Sequence, residues 1–229
     1  MAIDRVKYMN APSFKQACIP FQEATSTYPS RQLDVLMNDQ HHQAGTICYS
    51  IDEFRASDHA RANAHVGLYD IHHHANPVQR PSWWSHIPEQ TSHARPLFGL
   101  KIVDLTRIIA APSVVRDLAE MGASVMRITA PHVPDMSQLQ LDLGWGKWNS
   151  HLDLRNQEDR TKLEALIMDA DVVIDGYRPS IFKKWGFGKD EILDLVKGRD
   201  KGIIYAHENC YVCVIVILLE SMSTHPSHN

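Results

Sequence analysis

Short apolar, β-branched runs alternate with amphipathic stretches through the second half of the chain, and this alternation constrains the fold most. The runs are KIVDL at 101–105, SVMRI at 124–128, HLDL at 151–154, DVVID at 171–175 and GIIYA at 202–206. Apolar residues at helical spacing lie between them, at 112–121, 156–169, 179–185 and 190–196. Strands that alternate with helices predict an α/β fold with a mainly parallel sheet and helices on both faces.

The residues before this region follow a weaker pattern. Helices are expected at about 31–37 and over 51–69, and the proline-rich stretch 76–96 predicts an extended connector. We therefore expect a partly helical N-terminal extension and connector over 1–95, and a sheet domain over 96–211. Residues 212–229 are expected to form an atypical tail.

Composition limits which partners the protein can bind and which cellular compartment it can occupy. A net charge of −4 gives no general attraction to nucleic acid or anionic lipid. The most apolar run spans about eight residues, against the ~20 that cross a bilayer. Four scattered cysteines and an N-terminus without a signal-peptide pattern favour a reducing compartment. We expect an intracellular protein, in the cytoplasm, mitochondrion or peroxisome, with no nucleic-acid or membrane partner.

Two patterns suggest metal or redox chemistry and are better explained otherwise. Histidines cluster at 41–42 and 72–74, but consecutive histidines cannot all reach one ion from regular structure, so solvated loops are expected. Cys210 and Cys213 have C-x-x-C spacing, yet they follow the last strand instead of a strand-to-helix turn. The sequence therefore predicts no metal site.

A parallel sheet binds ligands where loops meet at the carboxyl ends of its strands. The loops to examine are 106–112, 129–135 and 175–180. No GxGxxG follows the first strand and no P-loop occurs, so glycines give no argument for nucleotide binding. Asp104 and Asp175 stand at strand ends, where caps and loop hydrogen bonds are commoner uses than catalysis.

Three ordered segments resemble one known family. RPLFGLKIVDLTRIIAAPSVVRDLAEMGASVMRITAP at 95–131 is similar to the opening of the class III CoA-transferases, the CaiB/BaiF type that includes the α-methylacyl-CoA racemases. The Gly-Lys, Leu-Asp-Leu, Ala-Asp-Val-Val-Ile and Tyr-Arg-Pro elements within 146–188 continue the resemblance, and 202–211 resembles the next strand. It implies a Rossmann-like domain that holds CoA or acyl-CoA, in a chain that forms homodimers.

The resemblance also implies contacts to CoA. In that family the loop after the first strand packs against the pantetheine and diphosphate, and the Tyr-Arg-Pro element lies near the adenine and ribose. The positions of this chain that match are Arg107, Ile108, Lys147, Tyr177, Arg178, Pro179 and Lys184.

The activity that the resemblance implies is CoA transfer between an acyl-CoA and a carboxylate, or racemisation of an α-methylacyl-CoA. The family's catalytic Asp follows the strand matched by 202–206, so we expect a catalytically incomplete chain with an incomplete sheet, no catalytic residue and a foreign tail at 212–229. One alternative is an inactive fragment that binds CoA or dimerises. A weaker alternative is an NAD-dependent oxidoreductase, which the missing glycine fingerprint disfavours.

Overall fold

The structure, a computed structural model, describes residues 11–41, 43, 45–80, 82–84 and 89–208, together with the backbone of 215–217. The chain divides into two compact units, Met1–Ala64 and His65–Asn229. The predicted tail at 212–229, apart from the backbone of 215–217, and the C-x-x-C pair lie outside the described residues.

The described residues of the first unit form four short α-helices. They are α1 (Phe14–Ser26), α2 (Ser30–Val35), α3 (Ile51–Arg55) and α4 (Asp58–Asn63), and a π-helical turn at Leu36–Gln40 continues α2. No residue of these helices is buried. Their stability therefore comes from local features such as caps instead of a packed core.

The single helix predicted over 51–69 is wrong. The chain forms α3 and α4 with a break between them, because Ser57 leaves helical geometry and its side chain accepts a hydrogen bond from Ala60 N. Ser50 caps α3 in the same way, and Glu53 bonds back to complete a capping box. Two N-caps seven residues apart divide the segment into two helices.

The second unit is built on one sheet. Its strands are β1 (Tyr69–Ile71), β2 (Lys101–Leu105), β3 (Ser124–Thr129), β4 (Lys147–His151), β5 (Val172–Asp175), β6 (Ile204–His207) and β7 (Ile215–Ile217). Their spatial order is β1-β7-β6-β5-β2-β3-β4. Strands β2 to β6 pair in parallel, while β7 is antiparallel to β6 and parallel to β1. The predicted α/β fold with a mainly parallel sheet is confirmed.

Helices cover both faces of this sheet. They are α5 (Ala110–Glu120), α6 (Gln140–Leu143), α7 (Gln157–Asp169) and α8 (Lys189–Val196), with 3-10 turns at Ser137–Leu139 and Lys183–Trp185. On one face Val103 and Val173 pack with buried residues of α7 and α8. On the other, Ile102 and Ile174 pack with Val115 of α5. Strands buried on both faces explain the continuous apolar runs of the sequence.

The third strand lies earlier in the chain than its apolar residues predict. The sequence places it at 151–154, whereas β4 spans Lys147–His151 and lies at one edge of the sheet. Leu152 and Leu154 are buried, but in the loop that follows β4. The apolar residues belong to the buried loop and not to the polar edge strand, so the predicted position of the third strand is wrong by about four residues.

The order of the strands creates a crevice at the carboxyl edge of the sheet. From β2 the chain adds β3 and β4 on one side, and then returns to add β5 and β6 on the other. The loops after β2 and β5 therefore diverge in opposite directions, which is where open parallel sheets bind ligands.

Among the described residues, no helix is both long enough and apolar enough to cross a membrane.

Candidate functional site

A cleft of about 150 Å³ opens at this carboxyl edge. It is lined by the last residue of β2, by the end of β3, and by the loops that follow β3, β4 and β5, so four parallel strands contribute to one cavity. Its floor is apolar, with Leu105, Ile128, Leu152 and Phe182 all at most 8% exposed. An apolar floor binds the uncharged part of a ligand by removing its surface from water.

Aromatic side chains form one wall of the cleft. The rings of Tyr177 and Phe182 meet edge to face with centroids 5.0 Å apart. Trp185 lies beside them, and the Lys184 ammonium stands 5.2 Å from the centre of its ring. Burial raises the pKa of the Tyr177 hydroxyl, so the hydroxyl stays protonated and can donate a hydrogen bond.

Charged groups stand at the rim. Arg155 donates to both carboxylate oxygens of Asp153, with Nε–Oδ1 at 2.9 Å and Nη2–Oδ2 at 2.6 Å. These hydrogen bonds lower the pKa of Asp153 to about 2. His132 Nδ1 lies 3.8 Å from the same carboxylate. Since Asp153 balances Arg155, Lys184 gives the lining an excess positive charge at neutral pH.

Of the seven predicted CoA contacts, Tyr177 and Lys184 line this cleft. Arg107 lies on the loop after β2 and donates from Nε to the carbonyl of Pro134, 2.5 Å away, which joins two loops of the site. Arg178 is exposed. Pro179 lines a neighbouring depression of about 330 Å³.

Ile108 has a left-handed backbone, with φ of 75°. For a β-branched residue this conformation is a genuine outlier and costs ~1–3 kcal/mol unless the surroundings enforce it. The loop at 106–112, predicted to contact CoA through Ile108, therefore holds strain.

The predicted contact Lys147 is fully buried. Its ammonium lies 3.1 Å from Asp104 Oδ2 and donates to the carbonyl of Pro112 at 2.9 Å, and neither charged side chain is exposed. Burial lowers the pKa of Lys147, and attraction to Asp104 opposes that shift. A direct contact between Lys147 and CoA stays a prediction, while the groups that Lys147 binds in this structure belong to the protein.

Asp175, at the end of β5, is buried among hydrogen-bond donors. Tyr177 N donates to its Oδ1 at 2.9 Å, and the Tyr205 hydroxyl donates to its Oδ2 at 2.7 Å. Burial is the largest influence and raises the pKa of this carboxyl group. His207 Nε2 lies 3.0 Å from the carbonyl of Tyr177, so the same turn is held from a second side.

Sequence reasoning missed three ionisable residues of the cleft: His132, Asp153 and Arg155. Asp153 was hidden by the misplaced third strand, because a strand at 151–154 contains it. Arg155 follows that predicted strand, in a loop that was not among the three predicted to bind ligand. The available signal was the basic residue directly after the run HLDL. His132 lies in the examined loop 129–135 but stood out by no motif.

No group of three or more His, Cys, Asp or Glu residues that could hold a metal ion occurs in the part of the chain that the structure describes.

Comparison with known proteins gives a consistent family. The profile described as CoA-transferase family III matches residues 97–212. An acetyl-coenzyme A transferase of Hypoxylon pulicicidum, nodX, is 54% identical over 191 residues, which cover 83% of this chain and 32% of that protein. An acyl-CoA transferase of Gibberella moniliformis is 32% identical over 192 residues, covering 83% and 33%. The chain spans about a third of the length of these curated relatives.

The longer of these similarities reaches beyond the family match. An alignment of 191 residues is longer than the chain from residue 97 to its end, so it includes part of the preceding segment. The formyl-CoA:oxalate CoA-transferase of Escherichia coli is 27% identical over 136 residues, which cover 51% of this chain and 33% of that protein.

Two solved structures are similar to half of the chain. One is a CaiB/BaiF family protein from Brucella suis, with 26% identity and a TM-score of 0.44 over 50% of this chain and 33% of that one. The other is Rv3272 from Mycobacterium tuberculosis, with 29% identity and a TM-score of 0.44 over 50% and 32%. Because the family profile covers half of the sequence, the chain belongs to CoA-transferase family III.

Proposed function

We propose that the chain binds CoA or acyl-CoA in the cleft and is the CoA-binding part of a CoA-transferase. One observation carries this proposal: a single cavity at the crevice of the sheet combines an apolar floor, an aromatic wall and an excess of positive charge. CoA presents matching groups, namely a pantetheine arm, an adenine ring and phosphates. Aromatic rings pack against the first two, and Lys or Arg donates to the third.

The size of the cleft indicates how much of CoA it would take. At about 150 Å³ it is smaller than the ~300–1,000 Å³ typical of a site that encloses a whole small molecule. We infer that it holds one portion of the ligand, and that the rest crosses the rim toward Arg107, Ile108, Arg178 and Pro179. These four contacts stay predictions.

The reaction of the whole protein follows by analogy with its relatives. Their names describe transfer of CoA with acetyl, acyl, formyl or oxalate groups. We propose transfer of CoA between an acyl-CoA and a carboxylate, with racemisation of an α-methylacyl-CoA as the second candidate from the family resemblance. A homodimer and an intracellular location belong to the same proposal.

Calorimetric titration of the purified chain with CoA tests the binding step. Lys184→Ala removes a cation that lines the cleft, and the control Lys197→Ala removes an exposed cation directly after α8 that lines neither the cleft nor the neighbouring depression. Because a hydrogen bond to a charged group contributes ~1.5–3 kcal/mol, we expect Lys184→Ala to weaken CoA binding by about 10-fold or more. Lys197→Ala should stay within about 2-fold of the unsubstituted chain.

The same titration with NAD provides the opposing result. Tighter binding of NAD than of CoA would overturn the proposal in favour of an oxidoreductase. Equal losses from both lysine substitutions would mean that the cleft attracts anions only by general charge, and would also contradict it.

A further inference from the structure

The loop at 106–112 is fixed at both of its ends by one buried ion pair. At its start, the Thr106 hydroxyl donates to Asp104 Oδ1 at 2.5 Å. At its end, the Lys147 ammonium donates to the carbonyl of Pro112 at 2.9 Å. Asp104 and Lys147 lie 3.1 Å apart with both side chains fully buried, so water cannot compete for either group.

The strained residue lies between these two anchors. Ile108, with its φ of 75°, is two residues after Thr106 and four before Pro112. A non-glycine residue keeps such a conformation only where its surroundings leave no alternative. The ion pair supplies this restraint, because it fixes a side chain on one side of Ile108 and a carbonyl on the other.

The held loop lies against residues that adjoin two lining segments of the cleft. Arg107 donates to the carbonyl of Pro134, which follows the cleft residue Val133. A Cβ on Gly176, the residue before Tyr177, would lie 2.9 Å from Ala111 Cβ and 3.2 Å from Thr106 Cβ. The loop therefore sets the position of the turns that carry the cleft's walls.

We propose that Asp104 and Lys147 are positioning residues: their buried ion pair holds the loop 106–112, with Ile108 strained, in the shape that binds CoA. In this proposal Lys147 acts through the carbonyl of Pro112, in place of the direct contact with CoA that the family resemblance implies. The ligand-binding consequence rests on the proposed function, whereas the restraint on the loop does not.

A double apolar variant separates positioning from stability. Single substitutions leave one buried charge without its partner, but Asp104→Leu with Lys147→Met replaces the pair by apolar groups of similar volume, which proteins often tolerate without loss of stability. The variant cannot bind the Thr106 hydroxyl or the Pro112 carbonyl. The matched control, Lys101→Met with Asp169→Leu, removes the same charges from an exposed pair at the other end of β2.

Two measurements test whether the loop 106–112 keeps its conformation and its role in binding. Amide hydrogen exchange should rise at least about 10-fold over residues 106–113, where Ser113 N bonds to Ile109 O, and should stay unchanged over α7. CoA affinity should fall about 10-fold or more by calorimetry. The control variant should change neither, and thermal unfolding of both variants shows whether each one folds.

Each result decides the proposal. A folded double variant with unsubstituted exchange and affinity would show that the pair only stabilises the fold, and would overturn it. If the unsubstituted chain fails to bind CoA, the proposed function fails, and exchange over 106–113 still decides whether the pair holds the loop. If the double variant does not fold, Thr106→Val removes the first anchor alone at similar volume, and exchange that stays unchanged there counts against the restraint.

Discussion

Two buried carboxylates lie near the carboxyl ends of neighbouring strands of the sheet and are accommodated in different ways. Asp104 on β2 pairs in register with Ile174, and Asp175 on β5 pairs with Leu105, so the two lie one residue apart along the sheet. Because side chains alternate along a strand, Asp104 points to the face of α5 and Asp175 to that of α7 and α8. Asp104 meets an ammonium, whereas among the described residues no Lys or Arg lies within ion-pair distance of Asp175.

The difference shows two ways to bury a carboxyl group. Asp104 forms an ion pair with Lys147, whose ammonium lies 3.1 Å away. Asp175 depends on the Tyr205 hydroxyl and the Tyr177 amide, and burial raises its pKa. A buried ion pair is costly to break, and its two side chains can each bind further groups of the protein. A carboxyl group that only accepts hydrogen bonds can also be buried in its neutral form. The ion pair of Asp104 therefore restrains the strained loop 106–112, whereas the hydrogen bonds of Asp175 hold the turn at Tyr177.

Asp104→Asn breaks this comparison most strongly. It leaves the Lys147 ammonium buried without a counter-charge, and removal of one partner from a buried pair costs ~3–5 kcal/mol. We expect the free energy of unfolding, measured by denaturant titration followed by circular dichroism, to fall by that amount. Asp175→Asn is the matched control and should cost less than ~1 kcal/mol, because an amide still accepts from Tyr177 N. Equal losses at the two positions would remove the distinction.

Tyr205→Phe tests the second carboxylate with a smaller expected effect. It keeps the buried ring and removes the donor to Asp175 Oδ2, so a buried acceptor is left unsatisfied at a cost of ~1–3 kcal/mol. Denaturant unfolding measures the loss. Tyr69→Phe removes a hydroxyl from a side chain that is 57% exposed and should stay within ~0.5 kcal/mol. A Tyr205→Phe protein as stable as this control would mean that the hydrogen bond contributes nothing.

The sequence predicts the buried strands well and the exposed elements poorly. Strands β2, β3 and β5 are buried on both faces, so their apolar runs identify them. Edge strand β4 carries Trp148 at 70% exposure and the buried Lys147, a pattern with no apolar run. Helix α1 has no buried residue and contains Pro20, so neither periodicity nor composition reveals it. An element that is buried carries a run or a periodic pattern of apolar residues, and an exposed element such as β4 or α1 does not.

The candidate site shows the same limit. Tyr177 and Lys184 were found because the family resemblance points to their motif, and they do line the cleft. Asp153 was missed through the misplaced β4, and Arg155 because the loop after the predicted third strand was not among those predicted to bind ligand. No sequence pattern could show that Lys147 bonds to the carbonyl of Pro112, 35 residues earlier in the chain, because only the fold brings them together. The roles of all the predicted contacts in CoA binding stay predictions.

The smallest expected effect is a difference in pH dependence between the two carboxylates. Burial raises the pKa of Asp175 above its usual value of 3.8, so the folded protein binds this proton more tightly than the unfolded chain. Its contribution to stability is complete at low pH and is lost as the pH rises through the raised pKa. Free energies of unfolding measured from pH 4 to 7 should therefore decline more steeply for the unsubstituted chain than for Asp175→Asn, whose amide does not titrate. Because the Tyr205 hydroxyl opposes the shift, Tyr205→Phe should steepen the decline further. If all three proteins gave parallel curves, the folded protein would bind the Asp175 proton no more tightly than the unfolded chain does, which would contradict the raised pKa.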